Sequence, residues 1–197
     1  MCAFSVYELS PDLDDPRRVG LASNGPSVRG NFSVIEDFNL EGCSVDRQAF
    51  RLAEIWRPLN TIGKVNAGND FPCLSLLISA FSRRAVDVLR EFLEPNGELL
   101  PLKSAHGEFY AYNVTTVVDA LDRERSEVDW LSDDPGPWDA RAIRIIHYEF
   151  IYEKVKDLTV FRIPERAGND LVTSEFVKRV QTSELGGFSF KRVWSAD

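Results

Sequence analysis

With 197 residues, 44% of them hydrophobic and 27% charged, the chain has the length of one domain or two small ones and the composition of a soluble globular protein. Its formal net charge of −8 argues against nucleic acid as a partner, because phosphate binding needs clustered lysine and arginine, and it favours a basic partner. No stretch approaches the ~18 consecutive apolar residues of a membrane span, so we expect no contact with a membrane.

The first third of the chain predicts short strands joined by polar loops. Residues Cys2 to Leu9 alternate between apolar and polar side chains, which favours a first strand. No basic region or long apolar segment accompanies it, so we expect no secretory signal and a cytoplasmic location. Three cysteines without a C-x-x-C pair indicate reduced thiols. The pattern leaves open whether residues 1–68 are a separate β-rich segment or add strands to an α+β domain at residues 69–197.

A strand and a helix are predicted next. The apolar run from Leu74 to Ile78 is short and follows Pro72, which favours a buried strand over a helix. Ser82 can cap the start of a helix by accepting a hydrogen bond from a backbone N–H. The apolar positions of this helix recur at spacings of three and four residues: Val86, Leu89 and Leu93. Pro95 cannot continue the helix, so it ends there.

Two further strands and a short helical stretch follow. Residues Glu98 to Lys103 include Pro101, which cannot donate a hydrogen bond to a neighbouring strand and so indicates a sheet edge or a bulge. Residues Glu108 to Asn113 are rich in aromatic side chains, as strands are. The run from Val117 to Asp122 is predicted as one or two helical turns.

The C-terminal part echoes this order of elements. Residues Ile143 to Tyr152 and Leu158 to Ile163 have the composition of strands. The tetrapeptide Ala-Gly-Asn-Asp occurs at 67–70 and at 167–170, each time before a strand, a serine at a capping position and an amphipathic helix, with Ser174 as the second cap. A duplicated unit and a chance recurrence of turn residues both explain the echo. We predict an α+β fold with a mixed, mostly antiparallel sheet, a few short helices and two strand-helix-strand units as candidates for a duplication.

The segment from Asp119 to Asp139 combines charge with aromatic side chains. It holds eight acidic residues against two arginines, a net charge of −6. Such a composition suits a surface that steers a basic partner and anchors it through aromatic contacts. The alternative is a solvated acidic loop whose tryptophans fold back into the core. The candidate partner-binding residues are Asp122, Glu124, Glu127, Asp129, Trp130, Asp133, Asp134 and Trp138.

The sequence lacks the motifs of common enzymes and metal sites. It has no G-x-S-x-G, Walker loop, G-x-G-x-x-G or H-E-x-x-H motif, and its two histidines are not at ligand spacing from a cysteine. We therefore predict no enzymatic activity, no metal and no cofactor. The alternative is a small-molecule-binding or enzymatic domain whose pocket is lined by Tyr110, Tyr112 and His147.

Several short motifs between residues 69 and 194 resemble one family. They are D-F-P at Asp70, S-x-R-A-V-x-x-L-R at Ser82, E-L-L-P-L at Glu98, Y-x-Y-N-V-T at Tyr110, V-V-D-A-L-D at Val117 and F-S-F-K-R-V-W at Phe188. This combination is similar to the immunity-domain family of bacterial polymorphic toxin systems, the myxobacterial-type immunity domain. The resemblance implies an intracellular protein that binds and neutralises a cognate toxin, with no catalytic or metal-binding residues to transfer. The acidity of the chain implies a toxin with a basic surface, and the oligomeric state is left open.

Overall fold

Several antiparallel sheets and three helices make up the described part of the chain, which confirms the α+β prediction. The computed structural model describes residues 4–12, 14, 21–23, 51–54, 56–62, 65, 68–74, 78–130, 142–166 and 168–196. The strands are β1 (Ser5–Pro11), β2 (Ala22–Ser23), β3 (Thr61–Ile62), β4 (Ala80–Ser82), β5 (Gly97–Leu102), β6 (Phe109–Val114), β7 (Glu127–Trp130), β8 (Ala142–His147), β9 (Val160–Phe161), β10 (Leu171–Thr173) and β11 (Phe188–Ser195). The helices are α1 (Arg83–Leu93), α2 (Tyr152–Val155) and α3 (Ser174–Thr182), and a 3-10 turn covers Pro164–Arg166.

A four-stranded antiparallel sheet joins the two ends of the chain. Its strand order is β11-β1-β10-β9, so β1 lies between two C-terminal strands. The pairing places Leu9 opposite Phe190. The strand predicted at Cys2–Leu9 is confirmed for its described residues, and it continues to Pro11. The division of the chain at residue 68 stays a prediction.

A three-stranded sheet in the order β4-β6-β5 follows in the chain. Its central strand, β6, is the predicted aromatic strand, and Ala111 and Tyr112 in it are buried. β5 pairs with β6 on one side and lies at the edge of the sheet. The edge position predicted from Pro101 is therefore confirmed.

Helix α1 forms where the sequence predicts it, with Ser82 as its N-cap. The Ser82 hydroxyl accepts a hydrogen bond from the Ala85 N–H at 3.1 Å and donates one to the Asp70 carboxylate at 2.6 Å. The predicted apolar positions are buried: Val86, Leu89 and Leu93. One side chain thus both starts the helix and fastens it to the segment before β4.

The predicted cap of the second long helix is wrong by one residue. Thr173 is the N-cap of α3, and Ser174 is its first residue. The Ser174 hydroxyl accepts a hydrogen bond of 2.9 Å from the N–H of Ser5 in β1. The Ser174 hydroxyl, which the local pattern assigns to capping, therefore makes a long-range contact with β1 instead.

The prediction of one strand from Leu74 to Ile78 is also wrong at its two ends, Leu74 and Ile78, whereas residues 75–77 lie outside the described chain. These two residues exchange backbone hydrogen bonds of 2.8 and 3.2 Å with each other, which the ends of one continuous strand cannot do. The nearby strand, β4, starts at Ala80. An apolar run of this length does not by itself fix the secondary structure.

The helical turns predicted at Val117–Asp122 are replaced by bridges to two other segments. Val117 pairs in parallel with Arg162, and Leu121 pairs in antiparallel fashion with Phe150. Because these partners are distant in sequence, local periodicity could not reveal them.

β7 and β8 form a separate two-stranded antiparallel ribbon. A group of buried apolar side chains joins this ribbon to the four-stranded sheet; it includes Ile145 of β8, Val6 of β1, Phe161 of β9 and Leu171 of β10. A second group packs α1 and α3 against the strands, with Leu89, Phe92, Phe176 and Val180 among its members. The ribbon is therefore anchored on one face.

Candidate partner-binding site

Exposed apolar side chains are concentrated in one short stretch of the chain. Five large apolar side chains are exposed among the described residues, and four of them lie in the segment 143–152: Ile143, Ile146, Ile151 and Tyr152. The fifth is Ile62 in β3. Single exposed apolar residues are ordinary, whereas four of them in one short stretch single it out as a candidate interaction surface. Segment 143–152 is therefore the candidate site.

Two β-bulges lie at the two exposed isoleucines of β8. The register of the ribbon shifts twice, and each shift leaves one residue of β8 without an opposite residue on β7: Ile143 and Ile146. At these positions the alternation of an antiparallel strand is broken. Ile145 is buried, whereas Ile143 is 61% and Ile146 is 48% exposed. Bulges redirect side chains in this way next to functional sites.

The 3-10 turn fixes the position of both strands of the ribbon. Arg166 donates a hydrogen bond of 2.8 Å to the backbone carbonyl of Ile143, at one of the bulges. The guanidinium of Arg123 lies 5.8 Å from the centre of the Trp130 ring at the end of β7, and it pairs with Glu165 at 2.7 Å. These contacts hold the exposed face of the ribbon in one orientation.

Glu165 is a buried carboxylate at the base of this arrangement. Its Oε1 accepts a hydrogen bond of 2.9 Å from Arg123, whereas its Oε2 has no hydrogen-bond partner within the described residues. Burial raises the pKa of Glu165 above its ordinary value of 4.5, although hydrogen bonds from the backbone and from Arg123 act against that shift. Keeping the Glu165 carboxylate charged in the interior therefore costs free energy.

A cleft of about 1210 Å³ opens beside the end of β8. The wall of the cleft is aromatic: Phe4 lies edge to face with Tyr152 at 5.7 Å and with Trp194 at 6.4 Å, and Phe150 meets Trp194 at 5.7 Å. Ile151 and Tyr152 line the cleft, so it continues the exposed apolar group. We call the exposed residues of β8 together with this cleft the ribbon-cleft face.

Glu149, which lines the cleft, is paired within the chain. Glu149 lies 3.4 Å from Arg125 and 3.9 Å from Nε2 of His147. The Tyr148 hydroxyl donates a hydrogen bond of 2.7 Å to Glu8. Burial, followed by this hydrogen bond, raises the pKa of Tyr148, so the hydroxyl stays protonated. A partner that enters the cleft meets the exposed side chains of Arg125 and His147 as well as aromatic side chains.

Five of the eight predicted partner-binding residues fall within the described chain. Asp122 lines the cleft, and its carboxylate accepts hydrogen bonds of 3.1 and 3.2 Å from the two backbone N–H groups of residues 124 and 125. Asp129 pairs with Arg144 at 2.7 Å, and Trp130 is half-buried at the end of β7. The other three lie outside the described residues: Asp133, Asp134 and Trp138. Partner binding by all eight stays a prediction.

Two of the predicted acids remain available to a partner. Glu124 and Glu127 are exposed, and neither makes an ion pair or side-chain hydrogen bond with another described residue. Glu127 lies opposite His147 in the ribbon, and His147 lines the cleft. An exposed carboxylate of this kind can pair with lysine or arginine of another protein. Glu124 and Glu127 are hereafter the acidic flank.

The alternative pocket does not assemble from the described residues. Tyr110 lines a different cleft, of about 780 Å³, next to Arg83. His147 lines the cleft beside the ribbon. Tyr112 is buried, and its hydroxyl donates a hydrogen bond of 2.8 Å to the Leu93 carbonyl. The three side chains therefore line no common cleft in the part of the chain that the structure describes.

The sequence pattern did not reveal the two exposed isoleucines. A signal was present, because Ile145 and Ile146 are adjacent and so break the alternation of a strand with one buried face. Adjacent apolar residues also occur in strands that are buried on both faces. The pattern alone could not choose between these cases.

Metal and membrane features are defined for the described residues only. Within them, no group of three or more His, Cys, Asp or Glu side chains is placed to hold a metal ion. No helix in that part of the chain has the length and apolar character required to cross a membrane.

Residues 100–195 match the family described as Immunity protein family (Imm11). The match confirms, for this part of the chain, the resemblance to an immunity domain. It includes the ribbon, α2, α3 and most residues that line the cleft. A search of the curated proteins found no match.

Proposed function

We propose that this protein is an immunity protein that neutralises a cognate bacterial toxin by direct, stoichiometric binding. The observation that carries the proposal is the family match over residues 100–195. On this proposal the protein acts without catalysis, in the cytoplasm of the cell that makes the toxin. Inhibition then depends on the fit between two surfaces, and a rigid platform with exposed contact residues suits that task.

The charge of the chain supports a toxin with a basic surface. The net charge is −8, and the acidic flank offers two carboxylates that are not compensated within the described chain. Charge of one sign on a surface steers an oppositely charged partner and raises the association rate. We therefore propose that the acidic segment, from Asp122 to Trp138, faces the toxin.

Co-expression with the cognate toxin, to be sought among the genes next to the gene of this protein, tests the proposal. We expect cells to survive toxin production only when the protein is also present, and a complex of fixed stoichiometry to co-purify. The control is the same toxin with an unrelated acidic protein of similar size. A purified toxin that keeps full activity in molar excess of this protein would overturn the proposal.

A further inference from the structure

We propose that the ribbon-cleft face is the centre of the toxin contact, with Ile143 and Ile146 as its anchoring side chains. The partner is a toxin surface that carries a protruding apolar segment with lysine or arginine beside it. This inference rests on the proposed function and deepens it, because immunity by binding does not by itself say which face binds.

The two bulges are the first observation in its favour. The fold needs Ile145 to close the core below the ribbon, and Ile145 is buried. Ile143 and Ile146 are not among the residues of this core, and each is exposed at a register shift of β8. An interface that buries these side chains removes apolar area from water, which is the main favourable term in association.

The shape of the face is the second observation. Ile146 is followed by His147, which lines the cleft, and Ile151 and Tyr152 continue the apolar surface along it. A ribbon beside a cleft of about 1210 Å³ accepts a segment that protrudes from its partner. Side chains of the partner can enter the cleft while its neighbouring surface covers the isoleucines.

The charge pattern around the face defines the chemistry of the partner. Asp129 is already paired with Arg144, so this exposed pair adds little net charge. Glu124 and Glu127 are not paired with other described residues, and Glu127 lies across the ribbon from His147. Protein interfaces usually have apolar residues at the centre and polar or charged residues at the rim. The matching partner surface is apolar with a basic rim.

The rigidity of the ribbon-cleft face is the fourth observation in favour of the inference. Arg166 holds the carbonyl of Ile143, and Arg123 holds Trp130 through its contact with the ring. A face that is ordered before binding loses little conformational freedom in the complex. Affinity is then gained from the contact itself.

Substitution of the exposed isoleucines in the full chain tests the inference. We expect Ile143→Ser and Ile146→Ser each to weaken toxin binding by about tenfold, and the double variant by about a hundredfold, with the thermal midpoint unchanged. The control is Ile62→Ser, because Ile62 is 49% exposed and lies in β3, outside the matched residues 100–195. Binding would be measured by titration calorimetry with the catalytically inactive toxin.

One further variant and two outcomes complete the test. Ile146→Val keeps the apolar contact and the backbone, and we expect it to bind nearly as well as the wild type. A double serine variant that binds with wild-type affinity would overturn this inference and leave the proposed function intact. A wild type that does not bind the toxin at all would overturn the proposed function.

A second copy of this protein is the other possible occupant of the ribbon-cleft face, and the oligomeric state of the purified protein tests it. Light scattering of the wild type alone should show a monomer over the concentration range used for binding. A wild-type dimer that becomes monomeric in the Ile146→Ser variant would show that a second copy covers the face, and the inference would fail.

Discussion

At the level of single residues, Gly187 allows two distant parts of the chain to approach each other closely. Its φ is +88°, and a Cβ built there would lie 2.1 Å from Oδ1 of Asn69. Asn69 is buried, and the same oxygen accepts a hydrogen bond of 3.1 Å from the N–H of Phe71. A side chain at 187 would therefore meet both backbone strain and a buried polar contact.

Gly187→Ala should lower the free energy of unfolding by about 2–4 kcal/mol, from left-handed backbone strain and from the displaced Asn69. Gly107→Ala is the matched control, because Gly107 also has a positive φ, +135°, but its nearest contact would be the Phe109 ring at 3.5 Å. We expect the control to lose less, as measured by urea denaturation. Equal losses in the two variants would show that the contact with Asn69 adds nothing.

Glu165 gives the fold a pH dependence with a defined sign. Burial raises the pKa of its carboxyl group above 4.5 in the folded state, so the folded protein keeps this proton to a higher pH than the unfolded chain does. The contribution of Glu165 to stability is then fully present below the ordinary pKa and is lost as the pH rises through the raised pKa.

Comparison with Glu165→Gln isolates this effect, because glutamine does not titrate. We expect the free energy of unfolding of the wild type, minus that of the variant, to fall as the pH is raised above 4.5. Urea denaturation at several pH values measures this difference. If this difference in the free energy of unfolding instead grew as the pH was raised above 4.5, the ion pair with Arg123 would affect the pKa of Glu165 more strongly than burial does.

At the level of elements, two aspartates join the two strand-helix-strand units, β4-α1-β5 and β10-α3-β11. Asp70 precedes the first unit and accepts a hydrogen bond of 3.1 Å from the N–H of Gly186 in the second. Asp170 precedes the second unit and accepts one of 2.5 Å from the hydroxyl of Ser79, just before the first. Each copy of the repeated Asn-Asp dipeptide thus contacts the other unit. The pattern is compatible with a duplication, which stays a prediction.

The Asp170→Asn variant tests how much the contacts of Asp170 contribute to the free energy of unfolding. Asp170 is buried and pairs with buried Arg162 at 2.6 Å. Removal of one charge from a buried pair costs about 3–5 kcal/mol, because the other charge remains in the interior. The control is Glu153→Gln, whose pair with Lys156 is exposed, and we expect no measurable loss there. Similar unfolding midpoints for the two variants would contradict the structural role of Asp170.

Regular elements could be predicted from the sequence, and short ones could not. Helix α1 has both a capping serine, Ser82, and three apolar positions at helical spacing, so two independent signals agree. The segments Leu74–Ile78 and Val117–Asp122 have fewer than seven residues each, and such runs fit more than one periodicity. Leu74 and Ile78 bond to each other, whereas Val117 and Leu121 pair with residues elsewhere in the chain, and the local pattern shows neither arrangement.

At the level of the whole molecule, charge could be predicted but its distribution over the surface could not. The acidic segment follows directly from composition, yet Asp129 is neutralised by Arg144 on the neighbouring strand. Ile143 is exposed although it lies two residues before buried Ile145, and this break in alternation lies at a register shift that arises only when β7 and β8 pair. Pairing therefore decides which residues of the segment are available to a partner.

The two kinds of residue on this surface should affect different steps of binding. Exposed charge acts over about 10 Å at 0.1 M salt, so it steers the approach of a basic toxin. Apolar side chains act only in contact, so they determine how slowly the complex dissociates. The acidic flank and the anchoring isoleucines can thus be distinguished by kinetics.

Glu124→Lys with Glu127→Lys should lower the association rate constant with the toxin by about tenfold at low salt, and the rate should depend less on ionic strength than that of the wild type. Ile146→Ser should instead raise the dissociation rate constant and leave the salt dependence unchanged. Glu54→Lys is the control for charge, because Glu54 is exposed, makes no ion pair with another described residue and lies outside residues 100–195. Stopped-flow measurements from 20 mM to about 0.5 M salt cover both regimes, since the Debye length falls several-fold over such a range. If the double lysine variant associates at the wild-type rate at every salt concentration, the acidic flank does not face the toxin.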